Sequence, residues 1–249
     1  MPSVEPLPLV VATLIFLLAG LVKGVIGLGL PTVSMGLLSV VMAPAKAASL
    51  LIVPSFLTNV WQWTAGPSFR RLACRLWPML AGVVLGTLAG TGLLTRSHAG
   101  QAAVALGVLL MLYAVLGLTS VRFSSPPAAE WWLGPLIGVL TDAVTAATGV
   151  FVIPAVPYLG ALNLDKEDMI QALGLSFTVS TIALAAALAA GGAFNFGDIG
   201  ASTVALAPAL LGMAAGGALR GRFSEQTFRR IFFGGLLVLG AYLASRAVI

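Results

Sequence analysis

Within the stretch GLVKGVIGLGLPTV, residues 20–33, a lysine and a proline flank closely spaced glycines in otherwise apolar sequence. Gly27 and Gly29 would let the backbone approach a ligand closely and adopt unusual dihedral angles. Pro31 suits the first turn of a new helix, whose N-terminus presents unbonded N–H groups and a partial positive charge. Lys23, about one turn before Gly27, would add a full positive charge. The pattern predicts a binding loop for a small anion, with close helix packing as the alternative role of the glycines.

Further hydrogen-bonding side chains follow this glycine run. Thr32 and Ser34 would add hydroxyl donors beside the proline. Asn59 and Gln62 are three residues apart, so they share one face of the next apolar segment. We include all four among the predicted substrate-binding residues. Anchoring at the headgroup level beside the neighbouring tryptophans is the alternative role for the Asn59 and Gln62 pair.

A second run, GVLTDAVTAATGVFVIP at residues 138–154, interrupts a later apolar segment. Asp142 is the only acidic residue inside an apolar segment of the chain. Three roles stay open for it: a carboxylate that couples proton binding to anion binding, a charge partner of Lys23, or a cap on a half-helix. The other predicted substrate-binding residues of this run are Thr145, Thr148 and Gly149.

The elements that must position these residues are membrane-spanning helices. Of the 249 residues, 59% are hydrophobic and 8% are charged. Apolar runs of about 20 residues recur along the chain, and each is long enough to cross a hydrocarbon core of about 30 Å. The net charge of +5 comes from basic clusters between these runs, where such residues set membrane orientation and do not indicate nucleic-acid binding. We therefore predict an all-α polytopic membrane protein.

Two of the apolar segments, residues 8–43 and 131–163, are too long for one span and too short for two full spans. Each contains one of the two runs described above, which are dense in Gly, Thr, Ser and Pro, and each is followed by three ordinary spans. The sequence thus predicts an N-terminal transmembrane repeat at residues 1–120, a linker at 121–130 and a C-terminal repeat at 131–249. Each repeat would begin with a broken or re-entrant helix hairpin.

The distribution of Lys and Arg predicts how these repeats lie in the membrane. If both broken segments are hairpins, most of the basic residues fall on one side, which is then the cytoplasmic side. Each repeat would make an odd number of crossings, so the two repeats would have inverted topology and both termini would lie outside the cytoplasm. Inverted repeats with interrupted helices at matching positions are typical of transporters that work by alternating access, with one repeat rocking against the other.

The chain resembles the TauE/SafE sulfite exporter family of anion transporters over nearly its whole length. The resemblance rests on a duplicated pattern G-x-x-x-G-x-x-G-x-G followed by proline. The first copy consists of Gly20, Gly24, Gly27, Gly29 and Pro31, whereas the second has Asp142, Thr145 and Ala147 where glycines are common in the family. The resemblance implies export of sulfite, sulfoacetate or a similar small sulfur-containing anion across a bacterial-type plasma (inner) membrane.

Other function classes fit the sequence less well. The chain has one histidine and one cysteine, so we predict no metal site and no cofactor. Its single intramembrane acid does not form the residue cluster that an intramembrane enzyme needs, so we predict a protein that is not an enzyme. An anion channel or an uptake carrier for a related anion is the alternative to an exporter. The sequence leaves open whether the chain forms a homodimer.

Overall fold

The computed structural model describes residues 6–90, 93–96, 99–119, 124–194, 196–220 and 224–245. The linker predicted at 121–130 is therefore described only from residue 124 onward. A short 3-10 turn at Pro127–Ala129 precedes α7. The α-helices are α1 (Pro6–Ile26), α2 (Leu30–Val41), α3 (Pro44–Thr64), α4 (Phe69–Gly90), α5 (Leu93–Arg96), α6 (Ala99–Thr119), α7 (Glu130–Thr148), α8 (Ala155–Ala161), α9 (Lys166–Ala190), α10 (Phe196–Leu219) and α11 (Glu225–Ser245).

Within the described residues, five helices are long and apolar enough to cross a membrane. The segments Val10–Ile26 and Leu30–Val41 are also apolar but shorter. The described secondary structure is otherwise turns and loops between helices. The prediction of an all-α polytopic membrane protein is confirmed. The five long spans are Phe69–Gly90, Gly100–Thr119, Lys166–Ala190, Gly197–Leu219 and Gln226–Ser245.

Both of the anomalous apolar segments are broken helices. The first break separates α1 from α2, and Gly27 and Gly29 have φ angles of 80° and 107° there. The second break follows α7, where Gly149 has a φ of 74°. Residues with a Cβ rarely adopt these angles, whereas glycine adopts them at little cost. The breaks therefore occur where glycine permits a turn that other residues would resist.

The most extensive helix interfaces each join a helix from residues 6–119 to one from residues 130–245. These interfaces pair α1 with α10, α4 with α7, α3 with α9, and α6 with α11. Residue numbers rise together along the first two interfaces, so those helices run parallel. Along the other two interfaces one number rises as the other falls, so those helices run antiparallel. The contacts that define these directions are Leu17–Gly212, Leu21–Gly216, Gly82–Pro135, Gly86–Val139, Asn59–Gly174, Gln171–Gly66, Gly107–Gly240 and Gly117–Phe233.

Glycines bring the backbones of the parallel pairs into direct contact. A Cβ on Gly20 of α1 would lie 2.1 Å from the carbonyl oxygen of Ala209 on α10. In the α4–α7 interface, a Cβ on Gly86 would lie 2.3 Å from the carbonyl oxygen of Val139. Small residues allow such close approach in membrane helices, where association depends on packing contacts. Packing therefore accounts for Gly20, the first glycine of the GLVKGVIGLGLPTV run.

Ion pairs join first-turn residues of α3 and α9 to partner helices. Lys46 of α3 pairs with Asp198 of α10, and Arg71 of α4 pairs with Asp168 of α9. Because α3 and α9 run antiparallel, these two ion pairs lie at opposite ends of the α3–α9 pair. An ion pair therefore joins two helices at each end of the α3–α9 pair. The positive charge is on α3 at one end and on α4 at the other.

Candidate functional site

Lys23 lies in the last turn of α1 and is only 3% exposed. Its ammonium group donates a hydrogen bond to Oδ1 of Asn59 on α3. One turn further along each chain segment, Nε2 of Gln62 donates to the carbonyl oxygen of Gly27 at 2.6 Å. The helix break exposes that carbonyl, because Gly27 has left the helical conformation. Four predicted site residues, Lys23, Gly27, Asn59 and Gln62, therefore meet where α1 ends against α3.

A cavity of about 280 Å³ adjoins this group of residues. Its polar side chains are Lys23, Thr58, Gln62 and Arg220, and none of its lining residues is acidic. The cavity walls therefore carry two cations and no anion, which favours a negatively charged ligand. The full lining consists of Lys23, Gly24, Gly27, Thr58, Trp61, Gln62, Ala65, Ile170, Met213, Gly217 and Arg220.

Two polar atoms on the partners of Lys23 and of the Gly27 carbonyl have unused hydrogen-bonding capacity. Nδ2 of Asn59 and Oε1 of Gln62 are buried and have no hydrogen-bond partner among the described residues. Buried polar atoms are normally satisfied by protein, water or ligand. Because Oδ1 of Asn59 already accepts from Lys23, its Nδ2 is a donor available beside the ammonium group. Of these two donors, only the Lys23 ammonium group lies on a residue that lines the cavity, so a bound oxyanion could accept from it directly.

The predicted residues of α2 lie close to the break but outside this cavity lining. Gly29 caps the N-terminus of α2, and Pro31 occupies its first turn, as the sequence pattern predicts. Thr32 and Ser34 are fully buried, and their hydroxyl groups have no hydrogen-bond partner among the described residues. These hydroxyls therefore remain candidate donors in the interior, on residues that do not line the cavity beside Lys23.

Asp142 lies on α7 and is buried. Its carboxylate accepts a hydrogen bond from Oγ1 of Thr87 at 2.9 Å and from Oγ of Ser180 at 2.8 Å. Asp142 and Lys23, both described residues, form no ion pair with each other. Lys23 and Asp142 thus have separate, neutral hydrogen-bond partners. Asn59 of α3 binds Lys23, and Ser180 of α9 binds Asp142.

The remaining predicted residues, Thr145, Thr148 and Gly149, close the end of α7. Oγ1 of Thr145 donates to the carbonyl oxygen of Thr141, and Oγ1 of Thr148 donates to that of Val144, each at 2.8 Å. The N–H of Gly149 donates to the carbonyl oxygen of Thr145 at 2.7 Å. These bonds occupy the hydroxyl donors within their own helix.

The two breaks lie near opposite ends of α3. Gly149 packs near Met35 and Ala48, at the beginning of α3, whereas Lys23 binds Asn59 near its end. The 11-residue separation between Ala48 and Asn59 corresponds to about 16 Å of helical rise. The second run therefore does not contribute to the cavity beside Lys23.

Two residues of this cavity, Arg220 and Thr58, are not among the site residues predicted from the sequence. Arg220 follows α10, and its guanidinium group binds the carbonyl oxygens of Gly24 and Val25 at the end of α1. In the sequence, Arg220 belongs to a basic cluster of the kind that sets membrane orientation. The sequence around it therefore does not distinguish it as a ligand-binding residue. Thr58 precedes the predicted Asn59 and lines the same cavity.

In the described part of the chain, no three His, Cys, Asp or Glu side chains come together as metal ligands would.

Comparison with known proteins identifies the family. No curated protein and no solved structure matches the chain. The model of the family described as "Sulfite exporter TauE/SafE" matches residues 12–243, which is nearly the whole sequence. The chain therefore belongs to the TauE/SafE sulfite exporter family.

Proposed function

We propose that this protein exports sulfite or a small organosulfonate anion across a bacterial-type inner membrane by alternating access. Its family consists of membrane transporters of sulfur anions, and the helices described above are those of a multi-pass membrane protein. The observation that carries the proposal is the buried Lys23, which lies at a cavity without acidic lining residues. This arrangement supports binding of an anion at the end of α1.

The bonding of Lys23 supports an anionic ligand in particular. A buried charge is costly unless a partner compensates it, and intramembrane charges usually have a functional role. Lys23 has a neutral amide partner, Asn59, and no carboxylate partner among the described residues. An anion in the cavity would neutralise the ammonium group and would accept a hydrogen bond from it. The site would thus bind a small oxyanion more strongly than a neutral molecule of the same size.

We propose inverted repeats at residues 1–120 and 131–249 as the basis of transport. In this arrangement α9 is the counterpart of α3, and α11 is the counterpart of α6. The antiparallel packing within both pairs supports opposite orientations of the two halves. The cytoplasmic side would be the side of the basic residues, and both termini would lie on the other side.

The placement of the breaks and ion pairs supports alternating access. One break and the Arg71–Asp168 ion pair lie at the Lys23 end of α3, and the other break and the Lys46–Asp198 ion pair lie at its opposite end. Opening one end while the other stays closed would expose the anion to one side at a time. With a negative cytoplasm, outward movement of one negative charge is favoured by about 2.3 kcal/mol per 100 mV.

Flux measurements in proteoliposomes test this function. Sulfite, sulfoacetate, thiosulfate and sulfate are supplied in turn, with an imposed membrane potential of either sign. We expect saturable flux of a sulfur anion that follows the potential. Replacing Lys23 with Met, which keeps an unbranched side chain one atom shorter and removes the charge, should reduce that flux at least tenfold. The exposed Arg70→Ala serves as the control cation and should leave the flux unchanged.

Each of the other results contradicts part of the proposal. Flux that does not saturate, together with single-channel current, would identify an anion channel. Flux directed inward against the potential would identify an uptake carrier. Absence of flux for all four anions would refute the proposed substrate class, and normal flux in the Lys23→Met variant would refute the proposed site.

A further inference from the structure

A larger cavity, of about 720 Å³, adjoins the cavity beside Lys23. Arg220 and Ile170 line both cavities, so the two spaces share a wall at these side chains. The larger cavity reaches the end of α8 and the beginnings of α9 and α11. Its lining consists of Val25, Ile26, Leu28, Leu159, Gly160, Leu164, Lys166, Met169, Ile170, Leu173, Arg220 and Phe228.

The hydrogen bonds of Arg220 orient its guanidinium group at this shared wall. Nε lies 3.2 Å from the carbonyl oxygen of Gly24 and 3.1 Å from that of Val25, and Nη2 lies 2.9 Å from that of Gly24. These carbonyl oxygens lack helical partners because α1 ends at Ile26. Arg220 therefore caps α1 through one edge of its guanidinium group.

The other edge of the guanidinium group is unused. Nη1 makes no hydrogen bond to any described residue, and Arg220 takes part in none of the ion pairs formed by those residues. A guanidinium group offers five N–H donors in a fixed planar arrangement. The carbonyl contacts leave donors available for a second, charge-assisted interaction.

The chemistry of the larger cavity indicates what those donors would bind. Arg220 and Lys166 are its charged residues, and none of the lining residues is acidic. The other side chains are aliphatic, methionine or phenylalanine. A ligand that fits this lining has one anionic group and an apolar body, because the anionic group can bind Arg220 while the body displaces water from the apolar walls.

We propose that Arg220 forms a second anion-binding site, which receives an organic anion with an apolar body from the larger cavity and passes it to Lys23. An alkanesulfonate has the required chemistry. The inference rests on the proposed function, because Lys23 is the next site on the same path. It goes beyond that function in assigning separate anion binding to Arg220, in selecting organic over inorganic anions, and in defining the route by which the anion reaches Lys23.

Equilibrium binding to the purified full-length protein in detergent tests the proposal, with propane-1-sulfonate as the probe and sulfite for comparison. We expect the unmodified protein to bind two equivalents of propane-1-sulfonate. The Lys23→Met variant should retain one equivalent, and adding Arg220→Gln to it should weaken the remaining binding at least tenfold, which corresponds to about 1.4 kcal/mol. Sulfite, which has no apolar body, should bind the Lys23→Met variant more weakly than propane-1-sulfonate.

Two further variants separate anion binding from the capping of α1. In the Lys23→Met background, Arg220→Lys keeps a positive charge and should bind the probe more tightly than Arg220→Gln. Arg230→Gln removes an exposed cation at the beginning of the neighbouring α11 and should leave binding unchanged. A role of Arg220 in capping alone would lower the thermal stability of both Arg220 variants without changing the affinity for the probe.

The possible failures of this proposal and of the proposed function are distinguishable. If the unmodified protein binds one equivalent and Lys23→Met abolishes it, the Arg220 site is refuted while the Lys23 site stands. If two equivalents survive Arg220→Gln, the second site is elsewhere and the proposal is wrong. If Lys23→Met leaves both binding and flux unchanged, the proposed Lys23 site fails, whatever the result at Arg220.

Discussion

Replacement of Gly20 with alanine should force α1 away from α10. The added Cβ would lie 2.1 Å from the carbonyl oxygen of Ala209 and 2.9 Å from its carbonyl carbon. Favourable contacts between non-bonded heavy atoms begin at about 3.5 Å. The helices would therefore have to separate by more than about 1 Å. Because the obstacle is backbone, no change of side-chain rotamer can relieve it.

The expected cost follows from this displacement. Forcing an extra carbon into a close-packed interior typically costs about 1–3 kcal/mol. For a chain of this length, each kcal/mol lowers the melting temperature by about 2–4 °C. We therefore expect Gly20→Ala to lower the Tm by several degrees. Gly86→Ala should have a similar effect at the equivalent α4–α7 interface, where its Cβ would lie 2.3 Å from the carbonyl oxygen of Val139.

Tryptophan fluorescence during heating of the detergent-solubilised protein measures these shifts. Gly200→Ala is the matched control, because Gly200 also lies on α10 but a Cβ there would meet nothing within 4 Å. Alanine has a higher helix propensity than glycine, so this control should keep or raise the Tm. Equal melting temperatures for Gly20→Ala and Gly200→Ala would refute the conclusion that backbone contact holds α1 against α10.

Two further predictions concern coupling and topology. Asp142→Asn should abolish the dependence of flux on an imposed pH gradient and leave its dependence on the membrane potential. The amide keeps the shape of the side chain, but it has no carboxylate that could take up a proton. An unchanged response to the pH gradient would show that Asp142 does not couple proton binding to transport. Single cysteines that replace Arg70 or Arg230, in a cysteine-free background, should react with an impermeant maleimide from the cytoplasmic side. A cysteine that replaces Lys46 should react from the other side. Labelling of the Arg70 and Arg230 positions from different sides would contradict the inverted repeats.

Local sequence was sufficient to predict the helix breaks and to select several residues of the candidate site. Gly27 and Gly149 could be selected as positions of a break because glycine adopts positive φ angles at little cost. This property depends on the residue itself and not on its neighbours in the fold. Lys23 and Asn59 could be selected because polar groups within apolar segments need partners. Their direct hydrogen bond was not predicted, since it depends on the register between α1 and α3.

The role of Arg220 could not be predicted in the same way. Its contacts with Gly24 and Val25 span about 195 residues and depend on the packing of α1 along α10. In the sequence, Arg220 resembles any other basic residue next to a span. Thr145 and Thr148, by contrast, were predicted to bind the substrate, but their hydroxyls donate to carbonyl oxygens of their own helix. A threonine hydroxyl can make either kind of hydrogen bond, and the sequence does not show which one forms.

The glycine contacts of the parallel helix pairs have a consequence for the independence of the two halves. Each pair takes one helix from residues 6–119 and one from 130–245, so neither half can cover its own close-packed glycine faces. A protein cut in the linker would yield two fragments that complement each other and do not fold separately.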